Sequence, residues 1–259
     1  MPTQAPTETA KIAIVTGGSR GIGRSIVENL AKCGVRTLFT WHTRQADAEA
    51  VTAATAAIGA EAIALQLDAG NIASFPAFAE KVRETLTSLN ATHFDYLVNN
   101  AGNNHRNMPF DQATEEELDS VFAVHFKGPF FLTQMLLPLI SDGGRIVNIS
   151  TARTRIASPG GAVYASAKGA LEVLTRHMAK ELAPRRIAVN TVAPGPVETD
   201  FSGGIVRDNP AINKMIAENT ALGRAGLPED LGPMVASLLS EDNRWINAQR
   251  IEVTGGVAI

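Results

Sequence analysis

Residues 12–23 read Ile12-Ala13-Ile14-Val15-Thr16-Gly17-Gly18-Ser19-Arg20-Gly21-Ile22-Gly23, four β-prone apolar residues running straight into a glycine-rich turn. Beyond the turn, Ile22, Ile26 and Leu30 recur at i, i+4 and i+8, which places them on one stripe of a helix. The apolar run is continuous rather than alternating, as in a parallel strand covered on both faces. A strand, a tight turn and a helix in this order open a βαβ unit.

Working outward, the same alternation continues along the chain. Further strands are expected at 35–40, 62–66, 96–98, 145–149, 187–192 and 250–253. Helices are expected over 46–57, 72–89, 114–137, 164–181 and 228–239. Right-handed crossovers join such elements into an α/β fold, a doubly wound parallel sheet of about seven strands in the Rossmann manner. One domain is expected over residues 11–259, preceded by a disordered tail at 1–10. The stretch 201–222 carries Gly203-Gly204 and Asn209-Pro210 with a weak helical pattern, and is expected to be a mobile flap.

Composition narrows the function classes. A net charge of −3 and a pI near 6.0 give no reason to expect a nucleic-acid partner, and the basic residues are scattered. The single cysteine, Cys33, excludes an intrachain disulfide and fits a reducing cytosol; its place near a helix end predicts a buried, inert thiol. Residues 1–10 lack the basic and apolar regions of a signal peptide. The most apolar stretch, 128–140, is interrupted by Thr133, Gln134 and Pro138 and falls short of the roughly 20 residues that span a bilayer. A soluble, cytoplasmic protein is expected. His42, His93, His105 and His177 show no ligand spacing, so no metal site is predicted.

The turn itself carries chemistry. Glycines at 17, 18, 21 and 23 let the backbone approach a pyrophosphate whose charge faces the helix N-terminus. The spacing is Gly-x-x-x-Gly-x-Gly, and Gly17, Ser19, Arg20, Gly21, Ile22 and Gly23 are the candidate cradle. A carboxylate at the end of the second strand would select NAD, whereas cationic donors would select NADP. That stretch reads Thr40-Trp41-His42-Thr43-Arg44, with Asp47 the first acid. Arg44 and Arg20 are therefore expected to meet a 2′-phosphate and His42 and Thr43 to lie beside it; two solvated arginines are the alternative.

Three further stretches complete a pattern: Asn99-Asn100-Ala101-Gly102, Tyr164-x-x-x-Lys168 after Ser150-Thr151, and Pro194-Gly195-Pro196-Val197-Glu198-Thr199. Together with the glycine turn they resemble the short-chain dehydrogenase/reductase family over 11–256, in the manner of a 3-oxoacyl-acyl-carrier-protein reductase. The resemblance implies NADP(H)-dependent interconversion of a carbonyl and an alcohol, Tyr164 giving the proton as hydride arrives and Lys168 holding the nicotinamide ribose. Four residues apart on a helix, the pair shares one face, and the ammonium is expected to lower the phenol's pKa towards neutrality. The resemblance further makes Asp68-Ala69 the adenine contact, places Asn100, Ala101 and Gly102 across the crevice from the glycine turn, and sets Pro194, Gly195, Val197 and Thr199 around the carboxamide.

Two positions depart from the family's pattern. Its serine, thirteen residues before the tyrosine, is Thr151 here, which keeps the hydroxyl but adds a methyl. Ser150 next door points the other way on a strand, so the role falls to Thr151. Its helical asparagine is His125, read either as packing or as part of a proton relay.

The substrate pocket is expected to be lined by Asn103, Asn104, His105, Arg153, Arg155, Pro196 and the flap from Phe201, a polar set. Arg153 would meet an anionic substrate or simply be solvated. A broad carbonyl reductase, a 3-oxoacyl thioester reductase and a polyol or sugar dehydrogenase are all compatible. A non-catalytic NADP sensor on the same fold is the rival reading. The family resemblance implies a homotetramer; Phe130, Phe131, Gln134, Met135 and Pro138 would then be either interface or core.

Overall fold

The computed structural model describes residues 10–103 and 108–259. Asn104 and His105 of the expected pocket, and nearly all of the expected N-terminal tail, lie outside the described residues. Seven strands form one parallel sheet in the order β3-β2-β1-β4-β5-β6-β7. They are β1 (Ile12–Val15), β2 (Arg36–Trp41), β3 (Ala62–Gln66), β4 (Phe94–Asn99), β5 (Ile140–Ile149), β6 (Ala188–Pro194) and β7 (Arg250–Val253).

Alternation along each strand sorts the apolar side chains into two layers. Ile12 and Ile14 of β1 join Leu97 and Ile146 under α3 (Phe75–Ser88), α5 (Gly128–Leu136) and α6 (Ala162–Glu181). Ala13 and Val15 join Val98 and Val147 under α1 (Gly21–Lys32), α2 (Gln45–Ala56) and α9 (Pro228–Leu239). The continuous apolar runs therefore feed two cores at once, as the reading of parallel strands requires.

Polar residues interrupt those runs at β4, β5 and β6, and they are paired. Buried Asn99 donates to Asn148 (2.8 Å) and to Thr133 (3.0 Å), and Asn148 donates in turn to Thr175 (2.9 Å). Thr191 donates to the same Thr175 hydroxyl at 2.9 Å. Each of these side chains thus gains at least one partner, which is what makes its burial tolerable, although the Asn99 Oδ1 accepts no bond among the described residues.

Three expectations are corrected. The helix expected over 114–137 is broken into α4 (Glu115–Phe122), a π-helical turn (Ala123–Lys127) and α5. Pro129 has no N–H to give the His125 carbonyl in an unbroken α-helix. The ladder instead shifts to i→i+5, with Gly128 N–H donating to Ala123. A Cβ on Gly128 would also lie 2.3 Å from the Ala69 carbonyl, so only glycine lets the turn after β3 pass here.

Second, the stretch expected as a flap holds two helices, α7 (Ile205–Asp208) and α8 (Pro210–Glu218). Asn209-Pro210 is a helix start rather than a loop marker: the Asn209 side chain accepts from the N–H groups of Ala211 and Ile212, and proline occupies the first helical position. Third, Cys33 is exposed, because it caps the C-terminus of α1 where the chain leaves the core.

The packing of α9 on α1 depends on Gly232, where a Cβ would fall 2.3 Å from the Ser25 hydroxyl and 2.5 Å from its carbonyl. A Gly232→Ala variant is expected to lose about 1–3 kcal/mol of stability by overpacking, read by urea denaturation. An unchanged midpoint would show that the two helices separate freely.

Candidate active site

A cleft of about 1120 Å³ opens at the carboxyl ends of the strands, where the chain turns away from β1 and β4 in opposite directions. Every residue expected to bind the cofactor or to act in catalysis lines it. Gly17 to Gly23 come from the turn after β1, and His42, Thr43 and Arg44 from the end of β2. Asp68 and Ala69 follow β3, Asn100, Ala101 and Gly102 follow β4, and Thr151 follows β5. Pro194, Gly195, Val197 and Thr199 follow β6, while Tyr164 and Lys168 enter from α6 and His125 from the π-turn.

The glycine turn is pressed against the turn after β4. Asn100 donates through its side chain to the carbonyls of Thr16 (2.9 Å) and Gly17 (3.0 Å), and the Thr16 hydroxyl accepts from the N–H groups of Asn100 and Ala101. Gly17 has φ +65°, and a Cβ there would lie 2.9 Å from Ala101 Cα. A Cβ on Gly23 would lie 2.1 Å from the Gly17 carbonyl, so the first turn of α1 can sit on the loop only as glycine. No side chain caps α1 and no acid occupies its first turn. Its N–H groups and positive dipole end therefore face the cleft, a cradle that fits a pyrophosphate.

At the adenosine end stand Arg20 and Arg44, with no carboxylate at the end of β2. The two guanidiniums share one partner: Asp200 Oδ2 lies 3.2 Å from Arg20 Nη1 and 3.3 Å from Arg44 Nη1. His42 Nε2 is 3.8 Å from Asp68, whose other oxygen accepts from the Gly70 N–H at 2.9 Å.

At the other end Tyr164 and Lys168 are both buried. The Tyr164 hydroxyl hydrogen-bonds to Thr151. Lys168 Nζ donates to the Ile149 carbonyl at 2.7 Å and stands 6.0 Å from the centre of the Tyr164 ring. The expected acidification of the phenol by Lys168 is not found. Burial raises the Tyr164 pKa well above its usual value, and the Arg153 charge and the Thr151 hydrogen bond lower it only in part. Burial also pulls Lys168 down to about 7, against the Glu172 carboxylate, which raises it. A half-charged ammonium turned to a carbonyl is a weak acidifier of its neighbour.

Thr151 and Ser150 divide as the strand's alternation requires. Ser150 donates to Glu172 at 2.6 Å, behind the cleft. Glu172 also accepts from Thr154 (2.8 Å) and ion-pairs with Arg250 Nε (2.9 Å), and Arg250 donates to the Thr151 carbonyl (3.2 Å). His125 stands edge-on to Tyr164, ring centres 5.0 Å apart at 86°. A Cβ on Gly102 would come within 2.9 Å of its Cε1, so the turn after β4 accommodates the imidazole.

The family model described as enoyl-(acyl carrier protein) reductase matches residues 17–258. A hydroxynaphthalene reductase-like protein of Metarhizium guizhouense is 34% identical over 257 residues, covering 95% of this chain and 94% of its own. The chain belongs to the short-chain dehydrogenase/reductase family. Among solved structures, the reductase LugOII, which catalyses keto-reduction at C1 in lugdunomycin biosynthesis, superposes with a TM-score of 0.91 at 36% identity, over 97% of this chain and 99% of that one. The angucycline C-6 ketoreductase LanV, solved with bound NADP, gives 0.90 at 35% identity over 96% and 95%.

Within this short-chain dehydrogenase/reductase the pocket differs from its expected lining. Asn103, Arg153, Pro196 and Phe201 line the cleft, but Arg155 turns away to Glu252 at 2.9 Å. The polar set is also outweighed: Ile205, Ile212, Met215 and Ile216 bring an apolar wall from α7 and α8. Sequence reading missed Glu172, Arg250 and Asp200. Glu172 had a signal, since Tyr164, Lys168 and Glu172 recur every fourth residue; Arg250 had none, because β7 reaches the site only through the sheet.

Lys168 makes stability depend on pH. Its folded pKa of about 7 lies below its ordinary 10.5. Below pH 7 both the folded and unfolded chains carry the charge, and the folded state bears the full cost of burying it. As pH rises from 7 towards 10.5 the folded state sheds the proton first and that cost fades. The wild type should therefore gain stability from pH 6 to 9 more steeply than Lys168→Met, read by thermal melts. Parallel curves would show that Lys168 is hydrated.

Proposed function

We propose that the chain is an NADP(H)-dependent carbonyl reductase in which Tyr164 is the acid–base group. The observation that carries this reading is the meeting of Tyr164, Thr151 and Lys168 in one cleft with the glycine cradle and two arginines. The cofactor, when bound, supplies the hydride that adds to the carbonyl carbon. Gly17 to Gly23 and the N-terminus of α1 would hold its pyrophosphate, Arg20 and Arg44 its 2′-phosphate, and Asp68-Ala69 its adenine. Asn100, Ala101, Gly102, Pro194, Gly195, Val197 and Thr199 would wall the path of the nicotinamide half, with Lys168 at its ribose. Ketoreduction by LanV, which binds NADP, supports the assignment.

The protein's own part is to hold a carbonyl and deliver one proton. Tyr164 and Thr151 would both donate to the carbonyl oxygen, and Tyr164 would transfer its proton as the alcohol forms. A phenol whose pKa is raised keeps its proton at neutral pH, which suits the reducing direction. Arg153 limits that rise and stabilises the phenolate left behind. His125 fills the space of the family's asparagine against Tyr164 and Gly102. The apolar wall of α7 and α8 fits a substrate with an apolar body beyond its carbonyl. A non-catalytic sensor is not favoured, because it would need neither the buried Tyr164–Lys168 pair nor the second hydroxyl at Thr151.

Purified protein should oxidise NADPH with ketones of apolar body faster than with sugars. Tyr164→Phe should lose ~10²–10⁴ of that rate while still quenching on NADPH binding, and Thr151→Val should lose much of it while Thr151→Ser keeps it. Full turnover in Tyr164→Phe would remove the tyrosine from the reaction.

We also propose a cytoplasmic homotetramer. No described helix is long and apolar enough to cross a membrane. Phe130, Phe131, Gln134, Met135 and Pro138 all lie on the surface of this chain rather than in its core. Exposed Val173 of α6 extends the apolar area. Light scattering should give four chains per particle, falling in a Phe131→Glu variant; a monomeric wild type would refute the assembly.

A further inference from the structure

Among the described residues, Asp200 is the one acid that ion-pairs with both arginines of the adenosine end. It lies just after Thr199, on the segment that leads from β6 into the flap helices. Its Oδ2 serves Arg20 (3.2 Å) and Arg44 (3.3 Å) together, and its Oδ1 takes Arg207 of α7 at 2.7 Å. Arg207 foremost, and Arg20 with it, hold its carboxyl below the usual range against the effect of burial. Arg207 has a second claim, on Asp208 at 2.7 Å, which leaves it only partly committed to Asp200.

We propose that Asp200 is an internal competitor for the cofactor's 2′-phosphate and so sets how strongly the protein distinguishes NADPH from NADH. The proposal rests on Arg20 and Arg44 being the 2′-phosphate donors. A phosphate dianion and the Asp200 carboxylate want the same N–H groups and repel each other at short range. A nucleotide without that phosphate makes no such demand and leaves the clasp closed. NADPH binding therefore includes the cost of loosening Arg20 and Arg44 from Asp200, while Arg207 is placed to take over the displaced carboxylate.

The clasp also reaches the reaction end of the cleft. Phe201, the next residue, packs its ring 5.8 Å from that of Tyr164. The methyl of Thr199, the residue before, faces Gly21, where a Cβ would lie 3.3 Å from it. Asp200 thus sits between the glycine turn and the residue that covers Tyr164. Moving its carboxylate from the two arginines to Arg207 would shift the edge of the flap, in response to a group bound far from the carbonyl.

The test is equilibrium binding of NADPH and NADH, followed by nucleotide fluorescence at low ionic strength, in wild type, Asp200→Asn, Arg207→Gln and Arg44→Ala. Asp200→Asn is expected to tighten NADPH by about threefold to tenfold with NADH nearly unchanged, since one exposed charge interaction is removed from one cofactor only. Arg207→Gln is expected to weaken NADPH more than NADH, because among the described residues no third cation then pairs with the carboxylate. An Asp200→Asn variant that weakens both nucleotides alike, or leaves their ratio where it was, overturns the competitor role. A disrupted flap gives the first of those results, so it counts against the proposal. Loss of NADPH preference in Arg44→Ala upholds the phosphate reading independently. A wild type indifferent to the 2′-phosphate would overturn that reading and the competitor role with it.

Discussion

The contact between the glycine turn and the turn after β4 is the constraint on which the site depends. Asn100 holds the carbonyls of Thr16 and Gly17, and Thr16 returns the favour through its hydroxyl. With Gly17 against Ala101 and Gly23 against Gly17, the two crossovers that leave the sheet in opposite directions are locked at their roots. The open N-terminus of α1 then points along the same crevice that α6 supplies with Tyr164 and Lys168. A looser junction would separate the anion cradle from the proton donor, and catalytic geometry tolerates little error.

Beneath the reacting end, charge is buried only where it is held. Lys168 spends one proton on the Ile149 carbonyl and feels Glu172 a helical turn away. Glu172 is itself held by Ser150, Thr154 and Arg250. This network joins β5, α6 and β7 behind Thr151 and supports the hydroxyl that faces the cleft. Buried polar groups of this kind rigidify when all are partnered.

The flap follows another rule. Its helices are short, its links to the adenosine end are exposed ion pairs, and its apolar residues face the cleft rather than a core. Such contacts contribute little to stability but respond to charge and to substrate shape. Selectivity for the substrate's body and for the nucleotide's phosphate therefore meet on one segment.

Strand–helix alternation, glycine spacing and the Tyr164/Lys168 interval were legible from residues alone because each is a short-range pattern with one stable geometry. Parallel strands covered on both faces must read as continuous apolar runs, and a glycine turn before a helix leaves few backbone paths. By itself the sequence determined the fold class, the seven strands and the motif residues gathered at the cofactor end of the cleft. Tertiary structure decided what those residues experience. The π-turn at His125, the exposure of Cys33, the apolar face of α8 and the clasp at Asp200 depend on neighbours distant in the chain. The phenol's raised pKa is the clearest case: spacing placed a lysine beside Tyr164, but burial and the Ile149 carbonyl, which no local pattern encodes, determined what that lysine does.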